Sequence, residues 1–139
     1  MTTVSYHDLA DAFNFVSVDG MIEAHAYIAK DTGKIYWVSD DENIRDELPA
    51  DLDDEDRYIR VPHKRELNLG TVLVMRFACR KVPHLENRIR AIFSRRGAYS
   101  RFKDLLSAEG VLEKWYAFEA EATERALKEW GEANGIQVR

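Results

Sequence analysis

The period of the apolar residues changes partway along this chain, and that change constrains the fold more than any motif does. From Met21, Ile22, Ala24, Ala26 and Ile28 alternate with Glu23, His25 and Tyr27. From Leu67 onward the apolar residues return every three or four positions instead. A period of two places alternate side chains on one face of a strand, and a period of 3.6 places them on one face of a helix. The chain therefore reads as a sheet-forming half followed by a helical half, which is an α+β fold.

The elements follow from that reading. Ser5 and Asp8 have the spacing of a capping box, and Leu9, Phe13 and Val16 recur behind them as an N-terminal helix. A turn over Lys30–Lys34, with Gly33 supplying the φ > 0 position, joins the alternating strand to Ile35-Tyr36-Trp37-Val38. Arg57–Pro62 reads as a third strand ended by proline, paired with Ile35–Val38 in a three-stranded antiparallel meander. The acidic stretch Asp40–Asp56 between them, with Pro49, reads as a loop. Four helices follow: Leu67–Val82, a stripe of Leu85, Ile89, Ile92 and Phe93, a stripe of Tyr99, Phe102, Leu105 and Leu106, and a long last helix. In that last helix Leu112, Trp115, Phe118, Ala122, Ala126, Trp130 and Ala133 share one face. Gly97 suits a left-handed cap, and Gly135 followed by Ile136 has the outline of a Schellman ending. With no repeat and no linker composition, residues 1–139 read as a single domain built around the long helix.

Charge is strongly segregated. Between Arg76 and Lys103 nine cationic residues stand against Glu86 alone, while between Asp40 and Arg57 ten carboxylates stand against Arg45 and Arg57. The whole chain carries a net charge of −5, which weighs against a dedicated nucleic-acid binder. Such a molecule pairs its poles internally or shows one of them to a partner. No apolar run approaches the ~20 residues of a membrane span. The N-terminus lacks the basic and apolar regions of a signal peptide. Cys79 is the single cysteine, so no intramolecular disulfide can form, and a reducing cytoplasm is the expected location.

Motifs for chemistry are sparse. The chain has no Gly-x-Ser-x-Gly, no phosphate-binding glycine loop and no His-Glu-x-x-His, so no catalytic residues are assigned and no cofactor is expected. The histidines His7, His25, His63 and His84 are scattered, and one cysteine cannot build a structural zinc site, so no metal is expected either. Asp51–Asp56 resembles a calcium loop, but Asp56 stands where the loop needs Gly and Pro62 where it needs a bidentate Glu. His63 and Glu66 make an acid–base pair within one turn, for which helix capping is the commoner use. Arg76 lies on the apolar side of its helix; it either snorkels outward or forms a buried ion pair with Glu119 or Glu121.

The basic cluster is the candidate binding surface. Arg88 and Arg95 flank one side of the apolar stripe and Arg90 the other, so the charge forms a collar around a buried face. Arg88, Arg95, Arg96, Arg101 and Lys103, with Tyr99, surround the Gly97 turn in a helix–turn–helix outline suited to an anionic partner. Tyr99 and Phe102 share their stripe with Leu106, which makes core packing the expected use of both rings.

Phe93-Ser-Arg-Arg-Gly-Ala-Tyr99, Arg101-Phe-Lys-Asp-Leu105, Trp115-Tyr-Ala-Phe-Glu119 and Ala126-Leu-Lys-Glu-Trp130 together resemble the bacterial Uncharacterised Protein Family one-five-eight. Ala26-Tyr-Ile28, Ile35-Tyr-Trp-Val-Ser39 and Arg65-Glu-Leu-Asn-Leu69 extend the resemblance over nearly the whole chain. The resemblance implies a small bacterial cytoplasmic protein and brings no activity, cofactor or site residue with it. The leading expectation is a non-enzymatic regulatory or adaptor protein that binds a macromolecular partner, with homodimerisation through the complementary poles. Nucleic-acid binding through residues 88–103 and an enzyme centred on His63 and Glu66 are the alternatives.

Overall fold

The computed structural model describes residues 2–18, 23–39 and 48–139. Among these the order is β1 (Thr2–Val4), α1 (Tyr6–Val16), β2 (Ala24–Ala29), β3 (Ile35–Ser39) and β4 (Tyr58–Arg60). It continues with α2 (Thr71–Lys81), α3 (Glu86–Ile92), α4 (Ala98–Ala108), α5 (Leu112–Ala133) and β5 (Ile136–Val138). Short 3-10 turns occupy Lys64–Leu67 and Pro83–Leu85. The α+β expectation, with an N-terminal helix, a three-stranded antiparallel sheet and four helices after it, holds. The start of the alternating strand at Met21 and Ile22, and the acidic residues 40–47, lie outside the described residues.

The chain forms two compact units, 1–67 with 124–139, and 68–123. In the first unit, Ser5 caps α1 by accepting the Asp8 N–H at 3.4 Å, as the capping-box spacing predicts. Leu9, Ala12, Phe13 and Val16 are the buried face of that helix. Phe15 reaches the sheet, its ring centroid 4.7 Å from that of Trp37. Strand β2 is central and pairs antiparallel with β3 on one side and β4 on the other. Its Ala26 and Ile28 are fully buried.

The third strand therefore sits elsewhere than its sequence position suggests. Arg60 is opposite Tyr27 and Ile59 opposite Ile28, so β4 joins the free edge of β2 and not β3. A connection as long as 40–57 can return across the sheet, and joining β2 puts Ile59 beside a buried partner. Gly33 turns the β2–β3 hairpin at φ 79, as expected. A second, two-stranded sheet pairs β1 parallel to β5, with Thr2 opposite Ile136 and Val4 opposite Val138. Ile136, read from sequence as a helix-capping contact, is thus a strand residue and 1% exposed.

The second unit has its own core. Leu73, Val74, Phe77 and Ala78 of α2, Ile89 of α3, Phe102 and Leu106 of α4, and Trp115 of α5 form one buried cluster. Aromatic rings meet there edge to face: Phe77 lies 5.3 Å from Trp115 and Phe102 lies 5.1 Å from it. Such offset and T-shaped pairs add about 0.5–1.5 kcal/mol each beyond their burial. The helix expected over Leu67–Val82 is real but begins at Thr71, behind Gly70, which the backbone uses as its N-cap. Arg76 on that helix is exposed, so its charge reaches water and no buried ion pair forms.

Candidate functional site

The unit boundary is also a charge boundary. Residues 1–67 and 124–139 contain nineteen carboxylates and ten Lys or Arg, while residues 68–123 contain ten Lys or Arg and six carboxylates. All nine cations between Arg76 and Lys103 are exposed. Those on helices lie outside the apolar stripes, since the stripes fill the aromatic core.

The six candidate residues do not converge on one patch. Arg88, early in α3, donates to Glu109 at the end of α4, with Nη1 and Oε1 3.3 Å apart. That pair ties the two helices at the end remote from the Gly97 turn. Arg90 pairs along its own helix with Glu86 at 2.9 Å. Lys103 places its ammonium 5.8 Å from the centre of the Tyr116 ring on α5, a cation–π contact. Tyr99 turns inward, its ring edge-on to Phe93 at 5.1 Å and packed against the buried cluster.

At the turn itself, Gly97 has the expected left-handed conformation, φ 73, but serves as the N-cap of α4, while Phe93 is the cap that closes α3. Arg101 folds back over this turn and donates from Nη2 to the Ile92 carbonyl at 3.3 Å, capping the end of α3. Arg95 and Arg96 are left. Both are exposed, and neither side chain has a hydrogen bond or ion pair among the described residues. The turn therefore carries two consecutive exposed arginines, next to a third that caps α3.

At the alternative centre, His63 and Glu66 make capping contacts. Glu66 accepts the His63 backbone N–H at 3.0 Å through one carboxylate oxygen and pairs with Arg60 at 2.9 Å through the other. The His63 Nδ1 accepts the Arg65 backbone N–H at 3.0 Å, which places the ring proton on Nε2. These bonds close the 3-10 turn that follows β4.

One cluster was not legible in the sequence. Asp51 accepts from Arg57 at 2.9 Å and from the Tyr58 hydroxyl at 3.1 Å. The Arg57 hydrogen bond holds the Asp51 carboxyl below the usual aspartate range. Partial burial, and then the bond to Asp51, push the Tyr58 phenol up. Tyr58 lines a cavity of about 330 Å3 with Lys30, Asp31, Asp56 and Arg57, and Lys30 is held there by the Glu55 carbonyl at 2.7 Å. The signal lay in the turn: Asp51 is fixed opposite Arg57 and Tyr58 by backbone bonds from Asp54 to Asp51 and from Arg57 to Asp54. Among the described residues no group of three His, Cys, Asp or Glu side chains is placed to hold a metal ion. No described helix is long and apolar enough to cross a membrane.

No curated protein and no solved structure matches this chain. A family model does match it, over residues 1–139, and the chain belongs to the uncharacterised protein family UPF0158.

Proposed function

We propose that this protein is a small non-enzymatic adaptor that binds an acidic surface of a partner protein through the turn between α3 and α4. The observation that carries this reading is the contrast within the basic cluster. Arg88, Arg90, Arg101 and Lys103 each have an intramolecular contact, whereas Arg95 and Arg96 are exposed with none among the described residues. Arginine guanidiniums suit bidentate bonds to carboxylates, and two consecutive ones on an exposed turn offer two such forks. A protein partner is favoured over nucleic acid because Tyr99, the candidate base-stacking ring, is packed against Phe93. The net charge of −5 opposes a polyanion in the same direction. Two copies could meet through the same chemistry, the arginine turn of one on the acidic 51–56 segment of the other, giving a homodimer. A bacterial cytoplasm suits an exposed lone thiol such as Cys79.

The test uses fluorescein-labelled acidic peptide and mixed DNA and RNA oligonucleotides of matched charge, followed by anisotropy across a salt series. Peptide binding lost in Arg95→Ala with Arg96→Ala, and retained in Arg88→Ala, supports the reading. Tighter binding of the oligonucleotides, or equal peptide binding by both variants, refutes it. Sedimentation of the same proteins decides the homodimer: a monomer at low and high salt removes it.

A further inference from the structure

We infer that the second unit holds a binding site for a small amphipathic monocarboxylate, an aryl or short-chain acid, beside α5 at the end of α2. This site is separate from the arginine turn and does not depend on its role. A cavity of about 320 Å3 is lined by Lys81, Lys114, Ala117, Phe118 and Glu121. That volume is at the small end of ligand pockets, which run from about 300 to 1,000 Å3, and suits one ring system or a short chain.

Its residues have a simple origin. Lys114, Ala117, Phe118 and Glu121 fall at positions i, i+3, i+4 and i+7 of α5 and therefore share one face. Lys81 is the last residue of α2, where a cation is favoured by the helix dipole. The floor is the half-buried Phe118 ring, 5.5 Å from the ring of Phe77. Phe77 is wholly buried and wedged against Trp115 and Phe102, so this floor is fixed by the core.

The charges define the ligand. Lys81 and Lys114 have no hydrogen bond or ion pair from their ammonium groups among the described residues. Two lysines lining a cavity with an apolar floor are the complement of one carboxylate on an apolar body. Glu121 lies two helical turns from Lys114, roughly 10 Å along the axis, and marks the far end of the cavity.

Titration with 2-naphthoate, followed by amide shifts in two-dimensional NMR, tests the site. The neutral 2-naphthalenemethanol serves as the comparator. The expected result is saturable shifts centred on Lys114, Ala117 and Phe118 for the monoacid. Weakening of about tenfold or more is expected for the alcohol and for the Lys81→Ala/Lys114→Ala variant. Ala117→Leu, at an exposed helical position, fills the cavity without burdening the fold and should abolish the shifts. The Lys103→Ala variant, outside the cavity, should bind as the wild type does. Shifts centred elsewhere, no saturable shift, equal binding of acid and alcohol, or unchanged affinity without the two lysines overturns the proposal.

Discussion

The Arg101 guanidinium donates to the carbonyl of Ile92 at 3.3 Å, so one of the most conspicuous arginines of this chain is a helix cap. Ile92 is the last residue of α3, and the bond runs across the Gly97 turn from the first part of α4. It satisfies a terminal carbonyl and opposes the negative end of the helix dipole. Arg101→Ala should therefore destabilise the protein by about 1 kcal/mol. Arg95→Ala with Arg96→Ala should stay within about 0.5 kcal/mol of the wild type, as surface changes without contacts do. Urea denaturation of the two variants side by side checks this. If the double variant is the less stable one, Arg95 and Arg96 are structural and the binding reading loses its basis.

Trp115 is the hub of the second core, 1% exposed and in ring contact with Phe77 and Phe102. Its indole N–H is buried and finds no hydrogen-bond acceptor among the described residues, so burial of its surface holds it there. Truncation to alanine should cost about 3–5 kcal/mol. Trp115→Phe should recover much of that, because it keeps an aromatic ring and removes the unsatisfied donor. Thermal unfolding by circular dichroism would show the ranking. An unchanged midpoint in Trp115→Ala would mean that the ring is exposed in solution.

How much of this was legible depended on whether a contact is written into local periodicity. The last helix carries six turns of apolar spacing, and the segment expected from Leu112 to Ala133 is the observed α5. Leu127, buried on that helix, was missed because the narrow Ala-rich stripe does not pass through it. The β1–β5 pair could not be read, since three-residue strands have no period and their pairing spans nearly the whole chain. Strand β4 was recognised, but its neighbour depends on the path of a long acidic connection that sequence leaves open. At the candidate site, composition located the cluster, and only geometry separated Arg95 and Arg96 from the arginines already in use.

Gly33 and Gly110 both have positive φ, 79 and 72, yet they should respond differently to alanine. A Cβ at Gly110 meets nothing within 4 Å, so Gly110→Ala should cost only the left-handed backbone penalty, roughly 1–2 kcal/mol. At Gly33 a Cβ would stand 2.5 Å from the Thr3 carbonyl oxygen. That oxygen belongs to β1, so relief requires moving backbone. Gly33→Ala should therefore be clearly the more damaging. Similar denaturation midpoints for the two variants would show that the hairpin and β1 do not approach so closely.

The Asp51–Arg57–Tyr58 cluster should give the protein two separate pH limits. Folding lowers the Asp51 pKa, chiefly through the Arg57 hydrogen bond, and so favours the ionised carboxylate. That contribution is present above the ordinary aspartate pKa of about 3.9 and is lost as pH falls through the lower folded value. Folding raises the Tyr58 pKa, through burial first and then its bond to Asp51, and so favours the neutral phenol. Its contribution is present below about 10 and is lost as pH rises through the higher folded value. Asp51→Asn should thus be less stable than the wild type at neutral pH, with the gap closing only in strong acid. For Tyr58→Phe the gap should hold to mildly alkaline pH and then close, because an ionised Tyr58 would face the Asp51 carboxylate. Melting midpoints of the three proteins across the pH range measure both gaps. A gap for Tyr58→Phe that stays constant through the tyrosine range would mean that the phenol does not bond to Asp51 in solution.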